Sequence, residues 1–292
     1  MQEQGRDYFE FWAGVANAAS VRILLALMVI FALKSRQIDI AQAFLNALLG
    51  EHEEVYLRPP PPITLPPGHV WQLLKALYGL VQAPRAWFRQ LRKELVKLGF
   101  RPSSFDSCVY INDGSKLIVC VWDDDLRVYG PTDDSIDQFL ADLAKILDIT
   151  NEDADSTYLG MHIRHMPDGS VNINQAAYTR KILDRFQLNN LPKLTTPSHP
   201  NNKLVRLTAD VDDDFKQQYL EMFGSLNYLL TMTRPELAYA LSLCSRHNAN
   251  PQQQHMDAMH RIYAYLNNTR EMGITYVPDQ PGLIGYIDSD WE

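Results

Sequence analysis

Three consecutive acids between two apolar runs are the clearest chemical signal in this chain. Residues 117–130 read Leu-Ile-Val-Cys-Val-Trp-Asp-Asp-Asp-Leu-Arg-Val-Tyr-Gly. The β-branched and aromatic content of Leu117–Trp122 and Leu126–Tyr129 predicts two strands, with the acids at the tip of the hairpin between them. Adjacent carboxylates repel by roughly 1 kcal/mol per pair at ~4 Å in water, and by more where water is excluded. A divalent cation with hard oxygen ligands offsets that repulsion. A solvated acidic turn is the competing reading of the segment taken alone.

A fourth acid stands in Gln37-Ile38-Asp39-Ile40-Ala41-Gln42-Ala43-Phe44-Leu45. Asp39 lies between isoleucines at the expected end of a strand, where a carboxylate is costly to bury unless it is paired or bound to metal. Between the two acidic sites runs Leu77-Tyr78-Gly79-Leu80-Val81-Gln82-Ala83-Pro84-Arg85-Ala86-Trp87-Phe88. It reads as a Gly-containing loop opening a helix with Pro near its first position. Beyond Pro84 come Arg85, Arg89, Arg92, Lys93, Lys97 and Arg101 against a single Glu94. The cations fall mainly on one side of the helix, opposite Trp87, Phe88, Leu91, Leu95 and Leu98. The apolar stripe is core. The basic side is either an ordinary solvated face or a contact for backbone phosphates.

The elements needed to hold these residues can be traced along the chain. Helices are predicted at Ser20–Leu33, Ser135–Ile146 and Ala176–Phe186. A Pro-rich loop fills Pro59–Pro67. Tyr158–Arg164 and Ser170–Asn174 form a hairpin about Pro167-Asp168-Gly169. Lys193–Asp213 turns polar and reads as a connection. Phe215–Leu230, Pro235–His247 and Gln253–Asn267 are three helical segments of a small antiparallel bundle. Gly282–Asp288 begins a further strand.

Composition sets broad limits. At 292 residues the chain holds one large domain or two modest ones. The longest apolar stretch, Ile23–Leu33, is too short to span a bilayer and no basic segment precedes it, so a secretory signal is not expected. Cys108, Cys120 and Cys244 are odd in number and lack metal-ligand spacing, as expected of reduced thiols in an intracellular protein. The net charge of −8 argues naively against a nucleic-acid binder. The basic face after Pro84 shows that its distribution matters more than its sum.

Three stretches resemble the reverse transcriptases of copia-type LTR retrotransposons. Gln37–Asn46 matches the family's Q-M-D-V-x-x-A-F-L-N. Ala76–Trp87 matches S-L-Y-G-L-K-Q-A-P-R-x-W, with Ala76 for Ser and Val81 for Lys. Trp122–Leu126 matches Y-V-D-D-L, with Trp122 for Tyr and Asp123 for Val. In order along the chain, Gly5–Tyr8, Ser20–Ala26, Tyr158–Ile163, Gly224–Leu229, Thr233–Ala240 and Gly285–Trp291 also resemble family motifs. The resemblance implies an α+β fold: a polymerase palm (an antiparallel sheet backed by helices) with partial fingers, a helical thumb and the first strand of an RNase H domain. Its expected limits are 1–192 for partial fingers and palm, 193–213 for a connection, 214–278 for the thumb and 279–292 for the start of RNase H.

The implied activity is RNA-directed DNA polymerisation within a Pol polyprotein, with an RNA or DNA template–primer and deoxynucleoside triphosphates as partners. The implied cofactor is Mg²⁺ or Mn²⁺, held by Asp39, Asp124 and Asp125. Asp123–Asp124 is the other possible acid pair; the family's Gly five positions after the second acid selects Asp125, since Gly130 stands there. Phe44 takes the position of an aromatic that presses on the 2′ side of the nucleotide, though a core aromatic fits equally. Gly79 and Gln82 match the loop shaping the nucleotide pocket. Arg85, Arg89 and Lys93 are the expected backbone contacts, and Tyr158, Leu159 and Gly160 resemble a primer-contacting hairpin. His162 and His165 are expected to face solvent. The resemblance also places the family's first fingers strands before residue 1, and Asp123 puts a charge where the family has an apolar residue. An inactive remnant that at most binds nucleic acid is therefore the alternative.

Overall fold

The computed structural model describes residue 2 and residues 12–50, 53–152, 157–199 and 203–278. The chain divides into two compact units, Met1–Ala154 and Asp155–Glu292.

The first unit opens with α1 (Ala18–Ile30), which buries Val21, Leu24, Leu25, Met28 and Val29 along one face. Ala32, at φ 49°, turns the chain out of the helix and into β1 (Lys34–Ile40). A short two-stranded sheet follows, made of β2 (Val55–Leu57) and β3 (Trp71–Leu73), with the Pro-rich loop between them. Then come α2 (Ala83–Lys97), β4 (Arg101–Pro102), β5 (Val109–Asn112), β6 (Leu117–Trp122), β7 (Asp125–Gly130), α3 (Asp133–Leu143) and β8 (Ile149–Glu152).

Six of these strands form one antiparallel sheet in the order β4-β5-β6-β7-β1-β8. β1 inserts between β7 and β8, although it precedes β7 by about eighty residues in the chain. Val119–Val121 and Leu126–Gly130 are buried at every position, so the two strands of the hairpin are covered on both faces. The helix α3 is capped by Thr132, whose side chain accepts from the Ser135 N–H, and buries Ile136, Phe139, Leu140 and Leu143.

The second unit holds β9 (Thr157–Tyr158), β10 (Met161–His165), β11 (Val171–Asn174), α4 (Ala176–Arg185), α5 (Asp213–Met232), α6 (Ala238–Ser245), α7 (Gln253–Asn268) and β12 (Gly273–Tyr276). Its sheet runs β12-β11-β10-β9, all antiparallel. The expected hairpin about Pro167-Asp168-Gly169 is β10–β11. Helices α4 to α7 share a core that includes Leu183, Tyr219, Leu226, Leu241, Met259 and Tyr263.

Among the described residues, the polar stretch 193–212 has no regular element. Its order comes from side-chain amides that donate to its carbonyls: Asn268 to Leu194, Gln254 to Val205, and both Asn250 and Gln252 to Ala209. All three cysteines are buried.

The expected α+β class with antiparallel sheets is thus observed. The division by packing falls at 154/155, ahead of the β10–β11 hairpin. The expected strand at Gly282–Asp288 and the motif Gly5–Tyr8 lie outside the described residues.

Candidate active site

The acidic hairpin closes with a two-residue turn. Trp122 faces Asp125 across the β6–β7 ladder, leaving Asp123 and Asp124 as the turn residues. Asp123 adopts φ 57°. Two-residue hairpins require positive φ at the first turn position to match strand twist, a role that normally falls to Gly, Asn or Asp. On the other side of β7, Asp39 of β1 pairs directly with Asp125. Directly opposed residues in an antiparallel ladder present their side chains on one face, with Cα atoms about 4.5–5.5 Å apart. Asp39, Asp123, Asp124 and Asp125 are all partly exposed, at the end of a sheet whose neighbouring positions are buried.

Tyr78 reports on the same cluster. Its hydroxyl is held above the usual tyrosine range, first by desolvation and then by the carboxylates of Asp124, Asp39 and Asp123. Its ring packs on Phe44, with centroids 4.5 Å apart and planes at 51°. Asp123 is itself pushed upward, by desolvation and then by the charge of Asp124.

The first motif folds as a strand and a tight reversal. After Ile40 the chain passes through Gln42 at φ 52° into a 3₁₀ turn at Ala43–Asn46. The Asn46 amide donates back to the carbonyls of Ala41 and Gln42, which fixes the turn that carries Phe44. The second motif folds as the loop into α2. Gly79 sits exposed at φ 96°, with open space around it, so its backbone conformation rather than crowding selects glycine. Gln82 is buried and accepts from the Gln2 amide at 2.9 Å.

Helix α2 separates two surfaces. Trp87, Leu91 and Leu95 go into the core. Arg85, Arg89 and Lys93, spaced four residues apart, line a groove of about 350 Å³ with Leu48, Leu49 and Glu53 on its other side. The indole N–H of Trp87 donates to the backbone carbonyl of Asp123 at 2.9 Å, which ties the second motif to the acidic turn.

In the second unit, Leu159 and Gly160 form the two-residue turn between β9 and β10. Tyr158, expected among the surface contacts, is fully buried, so its side chain anchors the turn from below. The surface of the turn is Leu159 and Gly160. His162 and His165 are exposed, as expected.

The structure therefore gathers Asp39, Asp124, Asp125, Phe44 and Gly79 around one sheet end and its adjoining loop. Gln82 lies inside the protein beside them, and Arg85, Arg89 and Lys93 share a neighbouring groove. Sequence reasoning missed Tyr78 and Trp87. Tyr78 adjoins Gly79 within the same motif, which was a usable signal; the role of Trp87 depends on a backbone carbonyl and left none.

Carboxylate oxygens are the ligands that Mg²⁺ and Mn²⁺ prefer, and the pairing of Asp39 with Asp125 brings two of them to one face. As placed, no three His, Cys, Asp or Glu side chains among the described residues converge closely enough to hold an ion. The donor chemistry and backbone register fit a cation site.

A family model described as reverse transcriptase (RNA-dependent DNA polymerase) matches residues 1–200. This chain belongs to the reverse transcriptase family. Relatives share it over most of this length. The retrovirus-related Pol polyprotein from transposon RE1 of Arabidopsis thaliana is 32% identical over 99% of this chain. That from transposon TNT 1-94 of Nicotiana tabacum is 29% identical over 99%. The putative transposon Ty5-1 protein of Saccharomyces cerevisiae is 27% identical over 86% of this chain and 82% of its own length. The chain spans 20% of the RE1 polyprotein and 22% of the TNT 1-94 polyprotein. The expected relationship to retrotransposon Pol polyproteins is therefore found. No helix among the described residues is long and apolar enough to cross a membrane.

Proposed function

We propose that this chain carries the nucleotidyl-transfer centre of a retrotransposon reverse transcriptase, with Asp39, Asp124 and Asp125 at its heart. The observation that carries the reading is the direct pairing of Asp39 with Asp125 beside a turn containing Asp124, in a chain of the reverse transcriptase family. The six-stranded sheet with α2 and α3 is the palm, the β2–β3 region belongs to the fingers, and α5 to α7 form the thumb.

Asp39, Asp124 and Asp125 would hold Mg²⁺ or Mn²⁺. Such ions stabilise the attacking primer 3′-oxygen and the leaving oxygen of an in-line phosphoryl displacement. The remaining roles fall to this chain's own side chains. Phe44 and Tyr78, packed at a tilt, form an aromatic wall beside the carboxylates, against which the sugar and base of an incoming nucleotide rest. Gly79 lets the loop backbone approach that nucleotide closely. Arg85, Arg89 and Lys93 draw a nucleic-acid backbone into their groove by charge, so its occupancy falls as salt rises. The Leu159–Gly160 turn meets the primer strand.

A second reading, a chain that binds template–primer without extending it, is favoured by Asp123. Its half-buried charge next to Asp124 opposes the clustering that the reaction needs. Single-nucleotide incorporation onto an RNA template–DNA primer separates the two. Incorporation that is lost in Asp39→Asn supports the polymerase; binding without incorporation supports the second reading.

A further inference from the structure

The turn between β9 and β10 has a conformation that its own residues do not explain. Leu159 and Gly160 adopt φ 51° and 69° between the paired residues Tyr158 and Met161. Positive φ at both turn positions is the pattern that Asn-Gly or Asp-Gly ordinarily supplies, because a short polar side chain bonds its own backbone there. Leucine offers no such bond and carries a side chain that disfavours positive φ. The flanks of the turn are fixed, since Tyr158 and Met161 are fully buried. The tip needs a separate support.

Tyr228 of α5 provides it. Its hydroxyl donates to the Leu159 carbonyl at 2.7 Å. A Cβ added to Gly160 would stand 2.6 Å from the same oxygen, so hydroxyl and glycine fit against each other without slack. The ring of Tyr228 is steadied by Tyr178 of α4, edge to face with centroids 4.9 Å apart. α5 is in turn anchored by Tyr219, Met222, Leu226 and Leu229, all fully buried in the helical core.

We propose that Tyr228 is a positioning residue for primer binding, holding the Leu159–Gly160 turn in its positive-φ conformation and coupling that turn to the helical core. The inference rests on the reading that this turn meets the primer. Tyr228 touches no reacting atom. Its effect falls on how long and how accurately the primer end is held.

The test uses the 292-residue chain with Tyr228→Phe, Gly160→Ala and the double substitution. Three quantities are measured: amide exchange at residues 159–161, dissociation of a fluorescent RNA template–DNA primer, and the split of single-nucleotide incorporation between kcat and the template–primer KM. Tyr228→Phe is expected to speed exchange at the turn and primer dissociation by about fivefold, the factor of one net hydrogen bond. The loss should appear in KM rather than kcat. Gly160→Ala should weaken binding further. Adding Tyr228→Phe to it should restore part of the loss, because the nearest ring carbon is then 3.7 Å away. Unchanged exchange and dissociation in Tyr228→Phe, with the unsubstituted chain binding normally, would overturn the proposal. A folded, unsubstituted chain that binds no template–primer would instead overturn the primer-contact reading beneath it, while the exchange data still report on the clamp.

Discussion

The indole N–H of Trp87 donates to the carbonyl oxygen of Asp123 across 2.9 Å, from a side chain that is 1% exposed. Helix α2 and the acidic turn are therefore one structural unit, although 36 residues separate them in sequence. The bond also explains how Asp123 is tolerated. Its backbone is held from below while its carboxylate remains partly exposed beside Asp124. Trp87→Phe keeps most of the ring and leaves that carbonyl without its donor. The expected cost is about 1–3 kcal/mol of stability, measured by chemical denaturation, with faster amide exchange at Asp123–Asp125. Unchanged exchange there would mean that the turn is fixed by the strands alone.

The charge of Asp123 is disfavoured by its surroundings. Desolvation and the neighbouring Asp124 both oppose its ionisation, so Asp123→Asn should raise the unfolding midpoint at neutral pH. Asparagine is the informative replacement because it tolerates φ 57°, where β-branched valine is strained. A lower midpoint in Asp123→Asn would show that the carboxylate makes a stabilising contact.

Gly130 ends β7 with no room for a side chain. A Cβ there would lie 2.5 Å from a Leu117 methyl and 3.0 Å from Ile136. Gly130→Ala should destabilise the first unit by roughly 1–3 kcal/mol through overpacking. A wild-type denaturation curve would contradict the close contact of β6, β7 and α3.

The helical unit should weaken in mild acid. His247 is 9% exposed and its ring stacks on that of His255, with centroids 3.8 Å apart. Burial, then His255, Arg246 and Arg206, hold the His247 imidazole below its ordinary 6.5. His260 is lowered too, by burial that outweighs the opposing charge of Asp257. His255 accepts from the Gln252 N–H through Nδ1, which fixes the ring that stacks on His247. Because the native state binds fewer protons than the unfolded chain below the ordinary histidine pKa, stability is intact above it and falls as pH drops. The unfolding midpoint should decline between about pH 7 and about pH 5, and less steeply in His247→Gln. Equal slopes in the two proteins would remove this pair as the cause.

Much of this architecture was legible locally. The helices betray themselves by apolar periodicity, and α2 by its proline at the first turn. Gly130, five positions beyond Asp125, selects Asp124–Asp125 over Asp123–Asp124 as the acid pair in the sequence, and Asp125 lies opposite Asp39 in the sheet. What escaped is what depends on distant chain segments. β12 joins the second sheet a hundred residues after β11, with Gly273 packed against the Ile173 carbonyl. The burial of Tyr158, and the bonds that Trp87 and Tyr228 make to backbone carbonyls, leave no trace in residue type because any carbonyl serves as acceptor.

Incorporation of a single deoxynucleotide onto an RNA template–DNA primer, in Mg²⁺ and in Mn²⁺, tests the site most directly. It compares the unsubstituted chain with Asp39→Asn and Asp125→Asn, all confirmed as folded. The expected result is metal-dependent incorporation that falls by on the order of 100-fold or more in each variant, while template–primer binding persists. Incorporation that survives both substitutions, or that needs no divalent cation, would contradict the assignment of Asp39 and Asp125 as the catalytic pair.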